Sequence, residues 1–152
     1  MKKEGMQLKG SLIAVLTKEN GDVEVRRKDN MILNAGFDFI ADAIGKADQR
    51  PSVMGYTAVG SGETVVAASQ TGLASELMRK AATYAHTPGT KVFSFTTTFD
   101  PGEATGAITE AGICNAASAG TFIDRVTFDV INKAANDTLQ TTFQFTLAEE
   151  TA

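Results

Sequence analysis

The sequence predicts an all-β domain, mainly strands with one short helix, folded as an antiparallel, jelly-roll-like β-sandwich. Alternation is the first reason. Phe93, Phe95 and Phe99 alternate with Ser94, Thr96 and Thr98, and Val126, Phe128 and Val130 with Thr127 and Asp129. Leu139, Phe143, Phe145 and Leu147 alternate with Gln140, Thr142, Gln144 and Thr146. Successive strand side chains point to opposite faces, so each run has one apolar face and one polar face, as in a sheet with one side on a core and one in water. The second reason is the frequency of turn residues between such runs, and the third is that only one stretch has a helical period.

In chain order, residues 1–8 show no clear period and read as an arm ahead of a single domain over 9–152. Ser11-Leu12-Ile13-Ala14-Val15-Leu16 and Val23-Glu24-Val25 flank Asn20-Gly21, the strongest short hairpin signal because both residues accept positive φ. Phe37, Ile40, Ala41 and Ile44 then fall at the spacing of one helical face, with Asn34 as N-cap and Gly45 as stop. Residues 54–59 read as a strand ending in Gly60-Ser61-Gly62, and Leu73 with Leu77 suggests a helical turn over 73–79. Runs 81–86 and 91–99 flank Thr87-Pro88-Gly89-Thr90, which suits a hairpin. The remaining strands are predicted at 108–114, 121–131 and 138–147, with Phe93, Phe95, Phe128, Phe143 and Phe145 in the core.

The bulk properties fit one globular domain. The chain has 152 residues, 43% of them apolar and 21% charged, with a formal charge of −4. That charge argues against a nucleic-acid partner, as does the absence of Trp and of aromatics among the basic residues. No apolar stretch approaches the roughly 20 residues of a membrane span, so no membrane partner is expected. The first residues lead into no hydrophobic signal core, which argues for synthesis and assembly in the cytoplasm.

Few residues offer chemistry. His86 is the sole histidine, which excludes a two-histidine metal site or relay. Cys114, the sole cysteine, lies in an apolar run and reads as a packed thiol. Gly60-Ser61-Gly62-Glu63 follows a strand but lacks the Gly-Lys-Ser/Thr ending of a phosphate loop. Glu63, Glu76, Glu103 and Glu110 have no spacing that would pair two as acid and base, although Glu110 sits where it can reach a backbone group or an arginine across the sheet. The chain is therefore expected not to be an enzyme, with no cofactor and no metal. Arg26-Arg27-Lys28 is the one basic cluster, a candidate contact for an acidic neighbour. Lys2, Lys3, Met6 and Leu8 are the corresponding candidates in the arm, since an aperiodic segment outside the core is ordered, if at all, by a partner.

Two stretches carry a family resemblance. The first is Gly55-Tyr56-Thr57-Ala58-Val59-Gly60-Ser61-Gly62, followed by Gln70-Thr71-Gly72-Leu73-Ala74-Ser75-Glu76-Leu77-Met78-Arg79. The second begins Phe99-Asp100-Pro101-Gly102-Glu103-Ala104-Thr105-Gly106 and continues through Ile108-Thr109-Glu110-Ala111-Gly112-Ile113 and Asp124-Arg125-Val126-Thr127-Phe128. Over residues 30–147 this order resembles small virion proteins of tailed bacteriophages, including the capsid cement (decoration) proteins of short-tailed phages. The resemblance implies a structural protein on the capsid surface of the virion, bridging neighbouring subunits of the major capsid protein and associating with other copies of itself. A tail-fibre or baseplate domain with an attachment or receptor-binding role is the alternative. A carbohydrate-binding sandwich is disfavoured, because Trp is absent and Tyr56 and Tyr84 are the only tyrosines.

Overall fold

The computed structural model describes residues 5–149. Ten strands and one helix follow in order: β1 (Met6–Thr17), β2 (Val23–Asp29), β3 (Met31–Ile32), α1 (Asn34–Gly45), β4 (Tyr56–Gly60), β5 (Glu76–Ala81), β6 (Thr83–His86), β7 (Val92–Phe99), β8 (Gly106–Cys114), β9 (Asp124–Lys133) and β10 (Thr138–Glu149). They form two five-stranded antiparallel sheets, ordered β2-β1-β10-β7-β6 and β3-β9-β8-β4-β5. The predicted all-β sandwich with one short helix is what the chain adopts. Its jelly-roll-like trait is the repeated passage between sheets, after β2, β5, β7 and β9, while the hairpins stay within one sheet.

The alternating runs set the core. Leu12, Ala14, Leu16, Phe95, Phe99, Leu139, Phe143 and Phe145 of the first sheet meet Val59, Ile108, Ala111, Ile113, Val126 and Ile131 of the second. Phe145 stacks on Phe93 at 5.2 Å between ring centroids and meets Phe95 edge-on at 6.1 Å. Two buried hydroxyls, of Thr57 and Thr97, bond each other at 2.8 Å across the layers, so neither is left unsatisfied. Phe93 and Phe128, predicted in the core, are only partly buried and pack at its margin.

Several expectations need correction. Met6–Leu8 belong to β1 rather than to an arm, because β10 runs on to Glu149 and pairs with them, Met6 opposite Glu149 and Leu8 opposite Leu147. The segment predicted as a helical turn at 73–79 instead enters β5, which pairs with β4. Helix α1 exists as predicted but is rotated about its axis. Gly36 packs so close to the backbone of Ile123 that a Cβ would lie 2.4 Å from the Ile123 carbonyl oxygen. That approach turns Gly36, Phe39 and Ile40 inward and leaves Phe37 and Ile44 exposed. Asn34 does not cap the helix with its side chain; Leu33 occupies the N-cap, and the Asn34 N–H donates to the Ala68 carbonyl. In β9, the register with β8 slips between Ile108 and Glu110, which puts Ile131 inside and Val130 outside.

Phe143 is fully buried at the centre of the first sheet, opposite Leu12 on one side and Phe95 on the other. Truncating a buried Phe to Ala costs about 3–5 kcal/mol. For a domain of this size, Phe143→Ala should lower the thermal midpoint by on the order of 10 °C, as calorimetry would show, whereas the same change at the half-exposed Phe37 should leave it nearly unmoved.

Candidate functional site

The most organised polar structure in the molecule surrounds Glu110 on β8. Its side chain and that of Arg125 on β9 are both fully buried and meet at 3.0 Å. The Glu110 carboxylate also accepts hydrogen bonds from the backbone N–H groups of Gly62 at 2.6 Å, Ala74 at 2.7 Å and Ser75 at 2.7 Å. Arg125 donates in turn to the Thr64 carbonyl and to Gln70 Oε1. Loop 61–75 is therefore closed around an internal ion pair, and the Ser61 N–H to Ser75 carbonyl bond shuts its neck. Burial pushes the Glu110 carboxyl up, but the Ala74 and Ser75 N–H groups, the Arg125 guanidinium and the Gly62 N–H outweigh it and hold the group below the usual carboxylate range.

The glycine-rich turn does bind an anion, and that anion is the protein's own carboxylate. A Cβ at Gly62 would lie 2.4 Å from Glu110 Oε2, and one at Gly60 would lie 2.3 Å from the Ser75 carbonyl oxygen. Both positions need glycine for this close approach.

A second buried acid lies next to this pair. Asp124 is fully buried and accepts from the Ile113 N–H and the Asn30 side-chain amide. Desolvation outweighs these bonds and lifts its pKa to about 8. Among the described residues no cation bonds it: the neighbouring Arg125 turns its Nε to Glu110 and its Nη1 to Thr64 and Gln70, and its Nη2 is left without a partner. Asn30 thus joins the β2–β3 link to β9, and its own N–H donates to the Gly10 carbonyl of β1.

These contacts build a corner of the sandwich where four open clefts meet. A cleft of about 540 Å³ is lined by Leu8, Lys9, Asp29, Met31 and Phe37, among others. A second, of about 370 Å³, is lined by Lys28, Asp29, Met31, Glu63, Val65 and Arg125. Clefts of about 390 and 260 Å³ adjoin them and also carry Lys28 on their walls. Met31 lines both the 540 and the 370 Å³ clefts, and Met31, Phe37 and Val65 are all substantially exposed.

The predicted contact residues are distributed unevenly about this corner. Leu8 and Lys28 line its clefts, and Arg27 stands beside Ile13 in the adjoining cleft of about 390 Å³. Arg26 is occupied internally: it bonds Glu24 and the Asp129 and Val130 carbonyls, which the slipped register of β9 frees. Met6 is exposed at the start of β1, while Lys2 and Lys3 lie outside the described residues. His86 bonds the Val92 carbonyl at a strand end, and Cys114 is buried with its thiol pushed up by burial. Among the described residues, no group of three His, Cys, Asp or Glu side chains is placed to hold a metal ion. The sequence reading found Glu110 but not Asp124, Asn30 or the convergence of loop 61–75. The available signal was a pair of acids and an arginine inside otherwise apolar strands.

No protein-family model, curated protein or solved structure matches the chain.

Two outcomes follow for the buried charges. Removing one partner of a buried ion pair costs about 3–5 kcal/mol, so Glu110→Ala should destabilise the domain by that order in denaturant titration. Limited proteolysis of this variant should cut first within 61–75, and first cleavage elsewhere would contradict the clamp. Asp124 acts in the opposite sense. Its folded pKa of about 8 lies above the unfolded value of 3.8, so folding takes up a proton between those limits and stability falls as pH rises through them. Relative to Asp124→Asn, the native protein should lose stability from pH 4 to 8, with a slope approaching about 1.4 kcal/mol per pH unit, and level off above. A difference between the two proteins that stays flat with pH would refute the neutral buried acid.

Proposed function

We propose that this chain is a phage capsid cement protein, a non-enzymatic component that binds the outside of an assembled head and bridges neighbouring capsid subunits. The family resemblance of residues 30–147 supplies the class. The observation that carries the reading to a surface is the corner of β1, β3, α1 and loop 61–75. There Met31, Phe37 and Val65 stand exposed, with Lys9, Lys28, Asp29 and Glu63 around them. An apolar centre with a charged rim is the usual anatomy of a protein interface. The polar clamps beneath it fix the corner's shape before any partner arrives, which reduces the ordering cost of binding. A rigid module that binds across a seam between subunits stabilises the closed shell by mass action, because only the assembled shell presents both halves of its site.

Gold-labelled antibody on virions carrying this protein tests the location. Dense label over the head is the expected result. Label confined to the tail would transfer the chain to the tail-fibre or baseplate role, and unlabelled virions would end both readings. The corner is tested separately with Met31→Asp and Phe37→Asp combined. Both side chains are exposed, so the variant should fold, and it should bind shells at least roughly tenfold more weakly, since exposed apolar anchors in interfaces contribute on the order of 1–2 kcal/mol each.

A further inference from the structure

Each sheet has two edges, and an unprotected edge strand is a template for another strand. Three of the four edges here are blunted. β2 carries Glu24, Arg26, Arg27, Lys28 and Asp29. β5 carries Glu76, Arg79 and Lys80, and Arg79 is further tied to the Ala116 and Ala119 carbonyls. β3 is two residues long. The fourth edge, β6, has none of these devices. Its sequence, Thr83-Tyr84-Ala85-His86, contains no Lys, Arg, Asp, Glu or Pro, and all four residues are exposed. It pairs with β7 through four regular partners without a bulge, and among the described residues no strand lies on its other side.

The outer-face rows that start at that edge also begin uncharged. Thr83 and Ala85 stand on the outer face of the sheet, in rows that continue through Thr96 and Thr142, and through Ser94 and Gln144. On the inner side Tyr84 rests on Phe95 and Phe93, at 5.5 and 6.3 Å between centroids, yet is still 58% exposed. A strand added along β6 would cover an aromatic ring and meet no charge on β6 itself; the charges of Lys80, Asp100 and Glu103 gather past its end, where Lys80 bonds the Thr98 carbonyl of β7.

We propose that β6 is a self-pairing edge: β6 of one copy adds antiparallel to β6 of a second copy about a two-fold axis, joining two five-stranded sheets into one of ten strands. The second copy is the occupant for two reasons. Antiparallel pairing about a two-fold is self-complementary, since the donors of each strand meet the acceptors of its twin. The chain also carries a formal charge of −4, so two copies repel through much of their surface, and β6 is the edge of useful length where they approach without charge. Four residues make a small contact, well below the roughly 1,000 Å² of a stable interface. The pairing is therefore weak in solution and grows where copies are crowded together. It does not rest on the capsid reading, because it needs no shell.

Sedimentation velocity of the full chain over a range from micromolar to millimolar tests the proposal. The mass should move from 16.0 kDa toward twice that value as concentration rises, and the amides of residues 83–86 should exchange more slowly at high concentration. A variant with Thr83→Lys and Ala85→Lys places lysines on the exposed outer face. In either register that keeps the faces matched, lysines of the two copies stand side by side and repel. This variant should keep the native thermal midpoint at low concentration and associate at least roughly tenfold more weakly, about 1.4 kcal/mol. A native protein that stays monomeric throughout, a lysine variant that associates as tightly, or amides at 83–86 indifferent to concentration would each overturn it.

Discussion

Removing a carboxylate and a guanidinium from water costs several kcal/mol per ion, and their mutual attraction recovers that only when the remaining hydrogen-bonding capacity is also met. Glu110 and Arg125 meet most of this condition by drawing on the backbone of Gly62, Thr64, Ala74 and Ser75 and the side chain of Gln70, while Arg125 Nη2 stays buried without a partner among the described residues. The pair thereby dictates the course of a long connection that has no strand or helix of its own. It also requires glycine at 60 and 62, and it keeps Ala68 where its carbonyl receives the first N–H of α1. The walls of the corner clefts inherit their positions from this arrangement. Loop, helix start and cleft geometry are consequences of one buried pair.

Apolar alternation made most of the framework legible. Phe95, Phe143 and Phe145 are buried as their periodicity indicates, and Asn20-Gly21 turns the chain between β1 and β2. The errors have specific physical origins. Phe37 and Ile44 fit a helical stripe, yet the close approach of Gly36 to Ile123 selected a neighbouring stripe. Met6 and Leu8 alternate with Gln7 and Lys9, but so short a run between Gly5 and Gly10 carries little weight without knowledge of the partner strand. Val130 follows the period of Val126 until the slipped register inverts it. Buried polar groups were the least legible, because the value of Asp124 or Glu110 depends on partners many residues away that only the folded chain brings together.

The division of labour among the charged residues is also clearer in three dimensions. Arg26 and Arg27 are adjacent in sequence, yet Arg26 staples the first sheet to irregular carbonyls of the second while Arg27 points out from the sheet. A basic cluster read as a single patch is thus one structural arginine beside two outward cations, Arg27 and Lys28. Their setting differs from an isolated patch, because Asp29, Glu63 and Asp129 line the same clefts. In its charge pattern this corner accordingly presents both signs side by side rather than a uniformly basic patch.

The position of β10 has a further consequence. The last of the described strands is the middle strand of its sheet, with β1 on one side and β7 on the other. During synthesis β1 can form its hairpin with β2, but its other side finds no partner until β10 has been made. The same holds for β7, whose only earlier neighbour in the sheet is β6. Because closure joins positions as far apart as Met6 and Glu149, the loop entropy is lost late and in one step. The domain is thus built to assemble only after nearly all of it has been translated, with its final strand acting as the keystone.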